Sequence, residues 1–145
     1  MVRISLIAGA LAGSLALAVY GCFAMETLDH SFASWPDAVA SGQTGPGKWI
    51  PADIPPKAVD IRTTYAIDSS HVLVAFRLPP GAEHHLPDRC TPVAPAAVQL
   101  TQRPARWWPD ELSGKSNPTA ETSFYACGDN EYYALAGARG YFWRL

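Results

Sequence analysis

Two runs of strict alternation dominate the pattern of apolar and polar positions. In the first, Val59, Ile61, Thr63, Tyr65 and Ile67 alternate with Ala58, Asp60, Arg62, Thr64 and Ala66; in the second, Val72, Val74, Phe76 and Leu78 alternate with Leu73, Ala75 and Arg77. A period of two sends successive side chains to opposite faces of an extended chain, so each run predicts a strand. Asp68, Ser69 and Ser70 between them are turn formers, which makes the pair an antiparallel hairpin, ended by Pro79-Pro80-Gly81. Near the C-terminus, Ser123 to Cys127, Glu131 to Ala136 and Tyr141 to Leu145 are strand-like, with turns at Gly128-Asp129-Asn130 and Gly137-Ala138-Arg139-Gly140.

Helical spacing is rarer. Phe32, Trp35 and Val39 fall at i, i+3 and i+7, with Ser34 placed as an N-cap, Pro36 in the first turn and Gly42 as a stop. This predicts a short helix with that face in the core, preceded by a tether at Thr27 to His30. The sum is a small α+β domain, a mostly antiparallel sheet of about five strands with one short helix packed on it.

Between helix and hairpin, Pro46, Pro51, Pro55 and Pro56 forbid regular helix, and they miss the spacing of a polyproline II ligand. Trp49, Ile50 and Ile54 sit among them without period. The structural reading is a rigid lead-in loop whose Trp49 and Ile54 plug one end of the core, the prolines lowering the entropy lost on folding; the other reading is a ligand groove. Residues 79 to 122 are irregular, with a short strand or turn around Val93 to Leu100 and one helical turn after Trp108-Pro109.

The N-terminus changes the address of the whole chain. From Ile4 to Met25 there is no charged residue, a run long enough for a signal peptide or a spanning helix. Three outcomes stand: Val19-Tyr20-Gly21-Cys22 acts as a lipobox, with Cys22 lipidated at the new N-terminus; the run stays as a signal anchor with Arg3 inside; or a peptidase cuts after Ala24. All three place residues 26 to 145 outside the cytoplasm. The expected organisation is 1–25 as signal or anchor, 26–44 as tether and short helix, and 45–145 as a compact extracytoplasmic domain. The address is the bacterial cell envelope, on the periplasmic side, with the membrane reached through a lipid or a single helix.

Composition then excludes more than it assigns. The chain has a net charge of −2 with no basic run, so nucleic acid is not an expected partner. With Cys22 set aside, Cys90 and Cys127 form an even pair in an oxidising compartment. A bridge between them closes a loop of about 37 residues and contributes about 3–4 kcal/mol in the chain-entropy model. Their spacing excludes a Cys-x-x-Cys metal or redox site.

Gly47-Lys48-Trp49-Ile50-Pro51, Ile54-Pro55, Ala58, Asp60-Ile61, Ile67-Asp68-Ser69 and the late Trp107-Trp108-Pro109 together resemble a family of uncharacterised bacterial lipoproteins and small exported proteins. Their pattern is Gly-Trp-(Leu or Ile)-Pro, a second Leu-Pro or Ile-Pro, and Trp-Trp-Pro. Here Lys48 intervenes between Gly and Trp, and Pro56-Lys57 stands where small polar residues are common. The resemblance implies an envelope location and a shared fold, and it brings no catalytic residue.

Candidate chemistry is sparse. Trp107 and Trp108, with Arg103 and Arg106 upstream, are the best candidate binding surface, because tryptophan and arginine dominate interface hot spots and aromatic rings stack on sugars; Trp49 is a further candidate. Core packing is the competing role for the tryptophans, with one buried and one exposed. Glu83, His84, His85 and Asp88 carry metal-ligand atoms, but adjacent histidines rarely converge on one ion, so a solvated loop is the expected role. Asp68, Ser69, Ser70 and His71 are too close in sequence to converge as a hydrolase triad. No catalytic residue and no cofactor is expected. The leading expectation is a non-enzymatic, membrane-tethered envelope protein that binds a protein or envelope component; the alternative is a small extracytoplasmic metal-binding protein or hydrolase.

Overall fold

The computed structural model describes residues 27–145; the leader and Cys22 lie outside the described residues. The chain forms one seven-stranded sheet, antiparallel throughout, with the spatial order β1-β2-β3-β7-β6-β5-β4. The strands are β1 (Thr27–Ser34), β2 (Val59–Ala66), β3 (Val72–Arg77), β4 (Thr91–Val93), β5 (Thr122–Gly128), β6 (Glu131–Ala136) and β7 (Arg139–Arg144). One helix, α1 (Trp35–Ala40), and single 3-10 turns at Pro95–Ala97 and Asp110–Leu112 complete the described elements.

This corrects the expected α+β domain of about five strands. The molecule is mostly β, and the two extra strands are the sheet's edges. β1 takes the place of the expected tether: Leu28, His30 and Phe32 lie opposite Tyr65, Thr63 and Ile61 of β2. The helical spacing of Phe32, Trp35 and Val39 is thus split between a strand and a helix, and Val39 is 49% exposed while its neighbour Ala38 is fully buried. Ser34 does stand at the N-cap, in extended conformation, with Pro36 in the first turn. Its hydroxyl, however, donates to the Asp37 carboxylate rather than accepting from the helix backbone. The three-residue β4 carries Pro92, which removes a backbone donor and suits only an edge.

The hairpins fall where alternation places them, but alternation in β3 hides a second fact: both of its faces are apolar. Register carries Val74, Phe142 and Tyr133 across one face and Ala75, Tyr141 and Ala134 across the other. Two cores result. On the first face Ile61, Val72, Val74, Phe76, Tyr133 and Phe142 pack under Ala38 of α1 and under Ile50, Ile54 and Ala58 of the proline-rich loop. On the second, Leu73, Phe124, Ala134, Tyr141 and Trp143 pack under Val98, Trp108 and Leu112 of the long 94–121 segment. A single sheet covered on both sides by loops and turns buries enough apolar surface for a small domain without a second layer of regular structure.

The proline-rich loop is a plug. Ile50 and Ile54 are buried, Trp49 is half-buried with its ring stacked 4.2 Å from that of Tyr65, and the Ile50 carbonyl accepts from Gly45 N–H at 3.0 Å. Pro55 O then accepts from Ala58 N–H at 2.8 Å, turning the chain into β2.

Covalent and ionic ties hold this face. Cys90 and Cys127 form a disulfide linking the chain just before β4 to β5. Beside it, Arg89 donates to the Cys127 carbonyl at 2.9 Å, to Asp53 of the loop at 2.7 Å and to Glu131 of β6 at 3.1 Å. Glu131 also accepts from Arg144 at 2.8 Å, so loop, sheet and disulfide are tied in one network.

Candidate ligand cleft

β2 contains an irregularity between Val59 and Arg62, where an extra residue interrupts its register against β3. Asp60 sits in it with a φ of 52°, the left-handed region that Asp enters more readily than most residues. A bulge re-aims side chains. Here it brings the Asp60 carboxylate to Arg77, which donates from Nε at 3.0 Å and from an Nη at 2.6 Å.

Arg77 closes β3, and its cross-strand partner on β7 is Arg139. Like charges directly opposite each other destabilise a sheet. Arg62, opposite Ala75 and on the same face, adds a third cation. The arginines line a cleft of about 270 Å³ with Asp60, Ala75, Phe76, Trp107 and Tyr141. Three cations face one carboxylate there. Arg62, Arg77 and Arg139 are exposed, Tyr141 is 7% exposed, and Trp107 is half-buried with its ring edge-on to Trp108 at 5.6 Å. The cleft therefore offers an indole wall and guanidinium donors, a combination suited to a ring that carries an anionic group.

The residues singled out from sequence are scattered by the fold. Only Trp107 lines this cleft. Trp108 is buried beneath it, its indole N–H donating to the Leu112 carbonyl at 3.2 Å and its ring edge-on to Tyr141 and Trp143. Arg106 is exposed. Arg103 pairs loosely with Asp68 at 3.8 Å, beside a separate cleft of about 250 Å³ lined by His71, Ser69, Gln99 and Leu145. Trp49 is on the opposite face of the sheet, against Tyr65. Arg62 and Arg77 were visible as strand residues, whereas Arg139 was expected in the turn before the last strand and instead opens β7; no local spacing announces that β7 pairs with β3 and sets Arg139 against Arg77.

The 83–88 segment does not form a ligand set. His84 meets the Gly137 carbonyl through Nε2 at 3.0 Å and lies edge-on to Phe76, while Glu83 and His85 line another cleft with Pro55, Lys57 and Leu78. Among the described residues no three His, Cys, Asp or Glu side chains are grouped to hold a metal.

The second cleft holds a histidine whose titration is shifted. His71 is buried, with Nε2 2.8 Å from the Thr101 hydroxyl. Burial lowers its pKa from the ordinary 6.5, the Arg103 guanidinium lowers it further, and Asp68 opposes both. Its neighbours do not form a nucleophile and base: the Ser69 hydroxyl accepts from the His71 backbone N–H at 3.3 Å, the bond of a turn.

No curated protein and no solved structure matches the chain. Residues 26–77, which carry β1 to β3 and with them Asp60, Arg62 and Arg77 of the cleft, are similar to the family model of the YbbD head domain.

Proposed function

We propose that the chain is a non-enzymatic, membrane-tethered protein of the bacterial envelope and that its cleft binds an anionic envelope glycan. Arg77 set in register against Arg139, with Arg62 beside them and only Asp60 to offset three charges, carries this reading. Such a pairing costs stability in the free protein. A carboxylate or phosphate accepting from the guanidinium groups removes that cost, and a sugar ring against Trp107 gives the ligand its apolar contact. The uncharged Ile4 to Met25 run and the disulfide support the envelope address. The 26–77 match covers the first half of the cleft and is consistent with a compact head carried outside the membrane.

The test is calorimetric titration of the anchored protein in nanodiscs with an oligosaccharide of uronic acids and with its neutral counterpart. Binding of the acidic oligomer alone is expected, weakened by about tenfold or more in Arg139→Ala and in Trp107→Ala, which corresponds to about 1.4 kcal/mol or more. Without ligand, Arg139→Ala should raise stability by about 0.5 kcal/mol because it relieves the like-charge pair. Equal affinity for the neutral oligomer, or an Arg139→Ala protein that binds as well as the parent, overturns the proposal.

A further inference from the structure

Among the described residues, Leu28, Val39 and Ile67 are the large apolar side chains left exposed, at 39%, 49% and 58%. Two of the three share a corner. Thr27 pairs with Ala66 and Leu28 with Tyr65, so Leu28 and Ile67 stand together where β1 begins and β2 ends. Val39 belongs to α1, beyond the other end of β1. An exposed isoleucine in a turn gives nothing to folding, and the residues after it, Asp68, Ser69 and Ser70, are polar.

The length of chain ahead of β1 says what covers this corner. The uncharged run ends at Met25 and the first strand begins at Thr27. If Cys22 carries the lipid, residues 23–26 span at most about 14 Å even when fully extended; if the run stays as a helix, only Glu26 intervenes. Either way no long tether separates the sheet from the bilayer, and the Thr27 end of β1 is held at the headgroup layer.

We infer that the β1–β2 corner is a membrane-docking surface, with Leu28 and Ile67 seated in the interfacial region of the bilayer and the sheet held end-on to it; this rests on the membrane-tethered reading. The orientation follows from strand direction. β3 runs from Val72, which pairs with Tyr65 near the corner, to Arg77, which pairs with Arg139 at the cleft. That length is about 17 Å at the rise of a strand. The bilayer therefore holds one end of the sheet and presents the arginine cleft at the other, turned toward envelope material beyond the membrane.

Full-length protein in phosphatidylcholine nanodiscs tests this. An environment-sensitive fluorophore is attached at Ile67→Cys or, for comparison, at Val39→Cys; both sites are exposed, so folding is spared, and the unsubstituted chain labelled in parallel gives the background from Cys22. Fluorescence at 67 should shift to the blue and be quenched by a lipid-borne spin label about twofold or more above that at 39. If the protein co-purifies with the discs and position 67 is as water-exposed as position 39, the docking surface is overturned while the anchor stands. Protein that never associates with the discs overturns the tethered reading and the docking surface with it.

Discussion

The two faces of the sheet are built by different means. The second face is closed by large side chains whose buried polar atoms find partners: the Trp108 and Trp143 indoles donate to the Leu112 and Gln99 carbonyls, at 3.2 and 2.9 Å, and His71 meets Thr101. The first face is closed by a proline-rich loop and one turn and a half of helix, and it leaves the Tyr133 hydroxyl, the Thr63 hydroxyl, the Gln43 side-chain oxygen and His84 Nδ1 buried without partners. It is also the face carrying the disulfide and the Arg89 network. Polar groups between sheet and cover are left unpaired there, and the proline-rich loop is tied to the sheet by Arg89, which joins Asp53 to Glu131 and the Cys127 carbonyl. The second face needs no such tie, because its tryptophans pack and hydrogen-bond at once.

Removing the central ring of the second face should do the most damage. Trp108→Ala empties the space between Tyr141, Trp143 and Leu112 and frees the 94–121 segment from the sheet. A loss of about 3–5 kcal/mol is expected in denaturant unfolding. A loss below about 1 kcal/mol would mean that the segment does not close the face.

Next in size is the cross-link of the first face. Cys90→Ser should cost about 3–4 kcal/mol on the chain-entropy argument for residues 37 apart in sequence. Reduction of the parent should match it, and reduction of the variant should change nothing further. Because Arg89 still ties the loop to β5 and β6, the native sheet should persist, read as unchanged backbone chemical shifts in β2, β3 and β7.

The same contrast explains how much of the molecule was legible. The β2–β3 and C-terminal hairpins were open to reading, since their periodicity is strict and their turns carry Ser, Asn and Gly. The Cys90–Cys127 pairing followed from count and compartment, and the buried Ile54 from its place among prolines. What was hidden is non-local. β1 is an edge strand with polar residues at most positions, so its weak alternation around Leu28 and Phe32 is outweighed by the apparent helical spacing of Phe32, Trp35 and Val39. The cover of the second face has no period at all, because Val98, Trp108 and Leu112 are placed by the surface they land on. The cleft shares this character: Arg62 and Arg77 were on view as strand residues, but their meeting with Arg139 depends on the order of strands in the sheet. Tryptophan and arginine next to one another in sequence were the natural candidates, and the fold separates them, burying Trp108 and sending Arg103 to Asp68.

A smaller effect distinguishes the faces by pH. His71 belongs to the second face's edge, and its pKa lies below 6.5 in the folded protein, chiefly because it is buried, with Arg103 adding and Asp68 subtracting. The unfolded chain then binds more protons than the folded one once the pH drops toward 6.5. Stability from this group is present above that value and declines as pH falls through it, until the folded-state pKa is passed. The slope cannot exceed about 1.4 kcal/mol per pH unit. His71→Asn should flatten the fall in stability between neutral and mildly acidic pH, measured as urea midpoints, and leave an otherwise parallel profile. An unchanged profile would mean that burial of His71 does not set the acid sensitivity.

The smallest expected change carries the opposite sign and bears most directly on how the first face is built. Tyr133 is 1% exposed, its hydroxyl has no partner, and burial pushes its phenol well above the ordinary range, with Asp53 and Glu131 pushing the same way against Arg89. A buried hydroxyl that gave up its hydrogen bonds to water and regained none costs free energy, so deleting it is one of the few core substitutions expected to stabilise. Tyr133→Phe keeps the ring against Phe142, 5.0 Å away, and should raise stability by up to about 1 kcal/mol. Thr63→Val applies the same logic to the second orphan, whose hydroxyl is fully buried in the same core. If both substitutions destabilise instead, these hydroxyls hold ordered water between sheet and loop, and the first face is hydrogen-bonded after all. Gains from both would establish that the two hydroxyls are unpaired in the folded protein and that polar satisfaction is not what seats the proline-rich cover on the sheet.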